Sequence, residues 1–178
     1  MLRKRLIKNS KTSPFIIGIF CGTSKPKPLP NYLSDFVTEL KELLVNGFEY
    51  NNRKYAVEIH SFVCDSPAKA FIKCVKSHGG YSSCDKCHDP GEYYCGRVTL
   101  KNIFAPKRTD RSFRLQLDEE HHVGETPLLV LPIDFIACFP IDYMHCICLG
   151  VVRKLLNSWL SGPLHVRLGN NLAKQISD

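Results

Sequence analysis

The sequence predicts a mixed α/β fold with a metal-stapled, Cys/His-rich insertion, and three observations predict it. An apolar run, an amphipathic helical stretch and an alternating stretch follow one another in the first part of the chain. About sixty residues with little periodicity come next and carry a Cys-x-x-Cys pair. An apolar helical stretch follows them.

Taken in order, residues 1–13 are a basic amino-terminal segment. Its opening Met1-Leu2-Arg3-Lys4-Arg5 reads as a solvated terminus or as an aid to nuclear import. Residues 14–80 read as strand, helix, strand, helix. Phe15-Ile16-Ile17-Gly18-Ile19-Phe20, bounded by Pro14 and Gly22, fits a short buried strand. The prolines of Lys25-Pro26-Lys27-Pro28-Leu29-Pro30 predict a loop. From Asn31, the residues Leu33, Phe36, Val37, Leu40, Leu43 and Leu44 recur at helical spacing, with Asn31 as N-cap and Gly47 as stop. Residues 54–64 alternate, with Tyr55, Val57, Ile59 and Val63 on one face. A right-handed crossover would set that second strand parallel to the first. Ser66-Pro67 then opens a second helix that carries Ala68, Phe71, Ile72 and Val75 and ends at Gly79-Gly80.

Residues 81–140 lose the pattern, and a bound metal is the simplest thing to hold them. Residues 141–178 begin with an apolar helix over about 143 to 160, with Leu149, Val152, Leu155, Leu156 and Trp159 on its buried side.

Composition narrows the function classes. A chain of 178 residues can bury one core. Its net charge of +7 and pI near 8.9 favour polyanionic partners, although basic domains that never meet nucleic acid are common. No stretch reaches the roughly 18 apolar residues of a membrane span. The nine cysteines are an odd number with no signal peptide ahead of them. They read as reduced thiols of a nuclear or cytoplasmic protein, with a subset binding metal.

Several residues can carry chemistry. Asp65 lies at the end of the expected second strand, where a carboxylate can hold a hard divalent cation or simply cap the helix that follows. Asp142 and His145 are three apart at a helix start. There they read either as a cap beside a satisfied histidine or as a pair lying behind a metal. Cys84-x-x-Cys87 has the spacing of half a tetrahedral Zn²⁺ site. His121 and His122, about 35 residues on, are the first candidates for the other half, ahead of His78, His88 and Cys95. Buried thiols and redox chemistry are the other readings of the pair. The remaining Cys21, Cys64, Cys74, Cys138, Cys146 and Cys148 flank or lie in apolar runs and read as core. Lys101, Lys107, Arg108, Arg111 and Arg114, interleaved with Phe104 and Phe113, suit either a nucleic-acid backbone or a solvated loop.

Together these blocks resemble the transposases of the CACTA (En/Spm-like) group. The resemblance covers roughly residues 12 to 176 and rests on the order of its blocks. They are Pro14 to Gly22 with Lys25-Pro26-Lys27-Pro28, Ser61-Phe62-Val63-Cys64-Asp65-Ser66-Pro67, Gly80-Tyr81-Ser82-Ser83-Cys84-Asp85-Lys86-Cys87, His121-His122 with Thr126-Pro127-Leu128-Leu129, and Asp142-Tyr143-Met144-His145-Cys146-Ile147-Cys148-Leu149-Gly150. It implies an α/β (α+β mixed) chain made of an incomplete ribonuclease H-like core with a zinc-stapled Cys/His-rich insertion. It also implies metal-dependent cleavage and strand transfer of DNA, with Mg²⁺ or Mn²⁺ as catalytic ion, Zn²⁺ as structural ion, DNA as partner and an oligomer left open. By motif match, Asp65 takes the place of the second catalytic acid, Asp142 and His145 that of the acid-x-x-His element, and Cys84 and Cys87 that of the cysteine pair.

The departures are as informative. The first acid of such a core precedes residue 12, and residues 1–11 contain none. The third comes from a helix beyond an insertion, and this sequence ends at Asp178. Two metal ions about 3.5–4 Å apart need carboxylates on both sides. The expectation is therefore a partial copy, inactive as an isolated chain. A noncatalytic, zinc-stabilised module that binds nucleic acid or protein is the alternative.

Overall fold

The computed structural model describes residues 16–169 and residue 172. The chain divides into two compact units, Met1–Pro140 and Ile141–Asp178. The basic segment 1–13 and the first residue of the expected strand, Phe15, lie outside the described residues. Among the described residues the architecture is mixed, with four α-helices and two small antiparallel sheets of two strands each.

The first unit begins its regular structure with helix α1 (Leu29–Asn46). Leu29, Leu33, Val37 and Leu40 form its buried stripe, and each such side chain contributes about 1.5–3 kcal/mol when removed from water. The helix starts two residues ahead of Asn31, with Pro28 in the cap position. Pro30 is tolerated because a first-turn residue has no intrahelical acceptor to lose. Gly47 stops the helix at φ 73°, its N–H bonded to Leu43 O at 3.0 Å. A Cβ there would fall 2.5 Å from Tyr55 O, so glycine is required.

Strands β1 (Phe48–Tyr50) and β2 (Arg53–Tyr55) form a hairpin with Phe48 opposite Tyr55. Asn51 and Asn52 turn it, both with positive φ, as a tight two-residue turn demands. The expected strand over 54–64 thus shrinks to the end of this hairpin. Residues 56–65 carry no strand, although Phe62 N–H reaches Cys138 O at 2.7 Å. Residues 16–20 also form no strand, and Ile16 and Ile19 are 75% and 79% exposed. No two strands pair in parallel among the described residues, so the expected crossover is absent there. Alternation prepares a segment for a sheet, but a strand exists only where a neighbour takes its backbone hydrogen bonds.

Helix α2 (Ser66–Lys73) opens with Asp65, not Ser66, as its N-cap. It ends well before Gly79, because Cys74 takes a left-handed conformation at φ 53°. Val75 then bridges to His122.

Residues 81–140 are not a loose insertion. They contain a second hairpin, β3 (Glu92–Tyr94) with β4 (Arg97–Thr99). They also contain a short helix α3 (Asp110–Arg114), started by a Thr109/Ser112 capping box, and a 3-10 turn at Pro127–Val130. They supply half of the core: Phe113, Leu128, Leu131, Ile133, Phe135 and Phe139 pack with the α1 stripe, Phe62 and Val75. Phe113 stacks on Phe135 at 4.6 Å, and Phe62 on Phe139 at 5.0 Å. Arg114 stitches the irregular backbone by donating to the carbonyls of Leu129, Leu131 and Ile133 at 2.8, 2.9 and 2.7 Å. Aromatic packing and side-chain-to-backbone bonds therefore hold what periodicity left unexplained.

The second unit contains a wide-turned π-helix (Tyr143–Val152) that passes into α4 (Arg153–Ser161). The helical expectation over 143 to 160 holds, but its buried side does not. No residue of either segment is buried, and Leu149, Val152, Leu155 and Trp159 are 37–48% exposed. Cys146 and Cys21, read as core, are exposed, whereas Cys64, Cys74 and Cys138 pack against the core of the first unit.

Candidate functional site

Asp65 precedes α2 in extended conformation, and its Oδ1 accepts the Ala68 N–H at 2.7 Å. That bond satisfies one of the four orphan donors of the helix start. The local geometry is that of a cap. A cation clamp needs further carboxylates beside it. Among the described residues, no three His, Cys, Asp or Glu side chains gather as metal ligands, so none joins Asp65 to hold Mg²⁺ or Mn²⁺. The residues present do not fit a two-metal centre.

The Cys-x-x-Cys element forms a tight knuckle. Its sulfurs lie 3.1 Å apart, and the Lys86 N–H donates to Cys84 Sγ at 3.4 Å. Burial pushes the Cys87 thiol pKa up, and the hydrogen bond with Cys84 adds to it. Two thiolates on one tetrahedral Zn²⁺, each about 2.3 Å from the ion, sit about 3.8 Å apart. The pair would have to open by about 0.7 Å to match, a small side-chain rotation.

His121 is wholly buried. Its Nδ1 donates to Ser82 O at 2.8 Å, and its Nε2 is buried with no hydrogen-bond partner. That tautomer leaves the Nε2 lone pair available, as in metal-bound histidines whose other nitrogen is held by a carbonyl. Burial lowers the pKa of His121 to about 4, so the ring is neutral at pH 7. His122 takes a different part. Its ring lies 4.8 Å from Phe113, tilted by 56°, and burial lowers its pKa as well. Two thiols and one imidazole thus have the right chemistry, but the four expected ligands do not converge. The cysteine half fits zinc, and the complete set does not.

Residue spacing lends no prominence to the residues that position this knuckle. Asp85, between the two cysteines, pairs with the fully buried Lys73 of α2. Lys69 and Lys86 stand 3.9 and 3.7 Å from its Oδ2, which accepts no hydrogen bond. The same three ammonium groups also donate to the carbonyls of Phe135, Ile136, Phe139 and Pro140. Lys73 sits over the rings of Phe113 and Phe139 at 4.7 and 5.1 Å. Desolvation lowers its pKa, against the raising effect of Asp85. The available signal was a Lys69/Lys73 pair one helical turn apart, facing an acid inside a cysteine knuckle.

Arg108 closes the other side. Its side chain is 2% exposed and donates to Cys84 O at 2.9 Å and to Asp118 at 2.6 Å. Burial works to raise the Asp118 carboxyl pKa, but the Arg108 hydrogen bond and charge outweigh it and hold it low. Arg108, Arg114 and Phe113 are therefore structural, and of the basic stretch Lys101, Lys107 and Arg111 remain exposed with Phe104.

In the second unit, Asp142 accepts the N–H groups of Met144 and His145 at 3.0 and 3.3 Å and the His145 Nδ1 at 2.5 Å. Desolvation opposes ionisation of Asp142, and its bonds to His145 and Met144 override it, so its pKa is lowered. The acid-x-x-His element is thus a helix cap and a carboxylate–imidazole hydrogen bond together, with the His145 side chain half exposed.

Comparison with models of known protein families, with curated proteins and with solved structures finds no match to this chain.

Proposed function

We propose that this chain is derived from a CACTA-type transposase, whose parent cleaves and joins DNA with a divalent metal and works in the nucleus. The observation that carries the reading is the Asp142/His145 pair. In the block that resembles the family's acid-x-x-His element, the carboxylate is fixed by two backbone N–H groups and holds the imidazole in one tautomer. Asp65 and the Cys84/Cys87 knuckle precede it in the family's order. A divalent ion would supply Lewis-acid stabilisation of the phosphoryl oxygens in the parent enzyme. Among the described residues no carboxylates gather around Asp65, which supports the reading that the chain by itself neither nicks nor joins DNA.

The test is a donor-plasmid excision assay with the full open reading frame that contains this chain. Asp65→Asn keeps a good helix cap but removes the charge a metal needs. Excision should vanish in Asp65→Asn while the protein accumulates normally. Excision at the parental rate would remove Asp65 from catalysis and the transposase reading with it.

One observation favours a second reading, a noncatalytic zinc-stabilised binding module. It is the Cys84/Cys87 knuckle, whose sulfurs lie 3.1 Å apart and need to open by only about 0.7 Å to share one Zn²⁺. This reading expects one zinc per chain by metal analysis, lost in Cys84→Ser. A purified chain free of zinc, with an unchanged melt after chelation, would exclude it.

A further inference from the structure

We propose that the β3/β4 hairpin and the loop after it form a contact arm for single-stranded DNA. The arm rises from a rigid base. Asp89, 5% exposed, accepts the N–H of Gly91 at 2.9 Å and of Asn102 at 2.8 Å, so one carboxylate clamps both ends of the hairpin. Below the clamp, Ser82 N–H bonds to Pro90 O, His88 N–H to Pro106 O and Arg108 N–H to Lys86 O, at 2.9, 2.8 and 3.0 Å. Cys87 bridges to Lys107 in the same ladder. At the tip, Cys95 and Gly96 take φ of 48° and 81°, the conformation of a tight two-residue hairpin turn.

Among the described residues this arm leaves most of its ring surface open. Tyr93, Tyr94 and Phe104 are 67%, 57% and 88% exposed. Exposed apolar residues scattered singly need no explanation, but this short arm carries three exposed rings, Tyr93 and Tyr94 on opposite faces of its strand and Phe104 on the loop after it. Arg97, Lys101 and Lys107 of the same stretch are exposed. Register pairs Tyr94 with Arg97, and the Lys101 ammonium lies 4.0 Å from the Tyr94 ring centroid. One face of the hairpin is therefore aromatic and cationic together. The acid on that face, Glu92, stands 3.9 Å from Lys101, and Asp89 is buried in the clamp. The outward charge is positive, complementary to a phosphate backbone.

The rings decide which form of DNA. Phosphate contacts alone serve duplex and single strand alike. Aromatic faces add stacking only on bases that are open, which is the chemistry of single-strand platforms. This inference goes beyond the transposase reading and does not use Asp65. Binding is measured without divalent ions, so failure of the arm and failure of the excision test are separate results.

The experiment is fluorescence anisotropy of a labelled oligo-dT of about 20 nucleotides with the whole chain at about 100 mM salt. Phe104→Ser and Tyr94→Ala should each weaken binding by about tenfold, whereas Tyr94→Phe should keep it, because the ring carries the stacking. Tyr50→Ala, an exposed ring on the other hairpin, should change nothing. A duplex of equal length should bind more weakly than the single strand. Undiminished binding in Phe104→Ser and Tyr94→Ala, equal affinity for duplex, or no binding of the oligonucleotide would each overturn the proposal. Phe104 is exposed enough that its replacement leaves the core untouched.

Discussion

The ammonium of Lys73, wholly buried at the end of α2, is paired with the carboxylate of Asp85, which stands between the two cysteines of the knuckle. This pair joins the helix opened by Asp65 to the Cys84/Cys87 element. A buried ion pair is a poor source of stability by itself, because both charges leave water to form it. Its removal from one side is costly, because the other charge stays buried.

Asp85→Asn should therefore destabilise the chain by roughly 3–5 kcal/mol, with Lys73 left buried and uncompensated. Lys69 and Lys86 offer no relief, since they add positive charge at 3.9 and 3.7 Å. The double variant Lys73→Met/Asp85→Asn should recover much of the loss. Urea unfolding of the three variants measures it, and a double variant no better than Asp85→Asn would contradict the account.

His121 makes stability depend on pH. Its folded pKa is depressed to about 4 by burial, against an unfolded value near 6.5. Between those values the unfolded chain binds more protons, so stability rises with pH. The contribution is fully present above about pH 6.5 and is lost as pH falls toward about 4, for a total of about 3 kcal/mol. Urea midpoints from pH 7.5 to 4.5 should fall more steeply for wild type than for His121→Gln. Parallel curves would mean that the ring takes up its proton alike in the folded and unfolded chain.

Arg114 is the brace of residues 127–135. It donates to three backbone carbonyls and to Asp110 at 2.8 Å, while Asp110 accepts the Phe135 N–H at 2.9 Å. Arg114→Lys keeps the charge but lacks the planar fork that reaches several acceptors at once. A loss of about 2–3 kcal/mol is expected in thermal or urea unfolding. A variant within about 0.5 kcal/mol of wild type would show that water replaces the fork.

Asp65 shows how far the candidate site could be read in advance. Its position before Ser66-Pro67 permitted a cap or a metal ligand, and the Ala68 N–H selects the cap locally. The cysteine spacing was visible too, and the knuckle forms. What the sequence hid was how the knuckle is held, because Arg108 and Lys73 meet it from separate elements. That the crossover is missing among the described residues has a similar origin. Residues 54–64 alternate as a strand would, yet the Asn51-Asn52 turn claims their first residues for a hairpin with Phe48–Tyr50.

The sequence by itself determined α1 and its stop at Gly47, the start of α2 and the cysteine knuckle. Each depends on contacts within a few residues, where side-chain spacing and backbone preference decide. Only the tertiary structure decided that residues 81–140 build half of one core, that Arg108 and Arg114 are braces, and that His121 is buried against Ser82. It also decided that no carboxylates gather around Asp65 among the described residues. These outcomes depend on groups far apart in the chain, and no local pattern encodes which distant partner takes a buried charge or an orphan hydrogen bond.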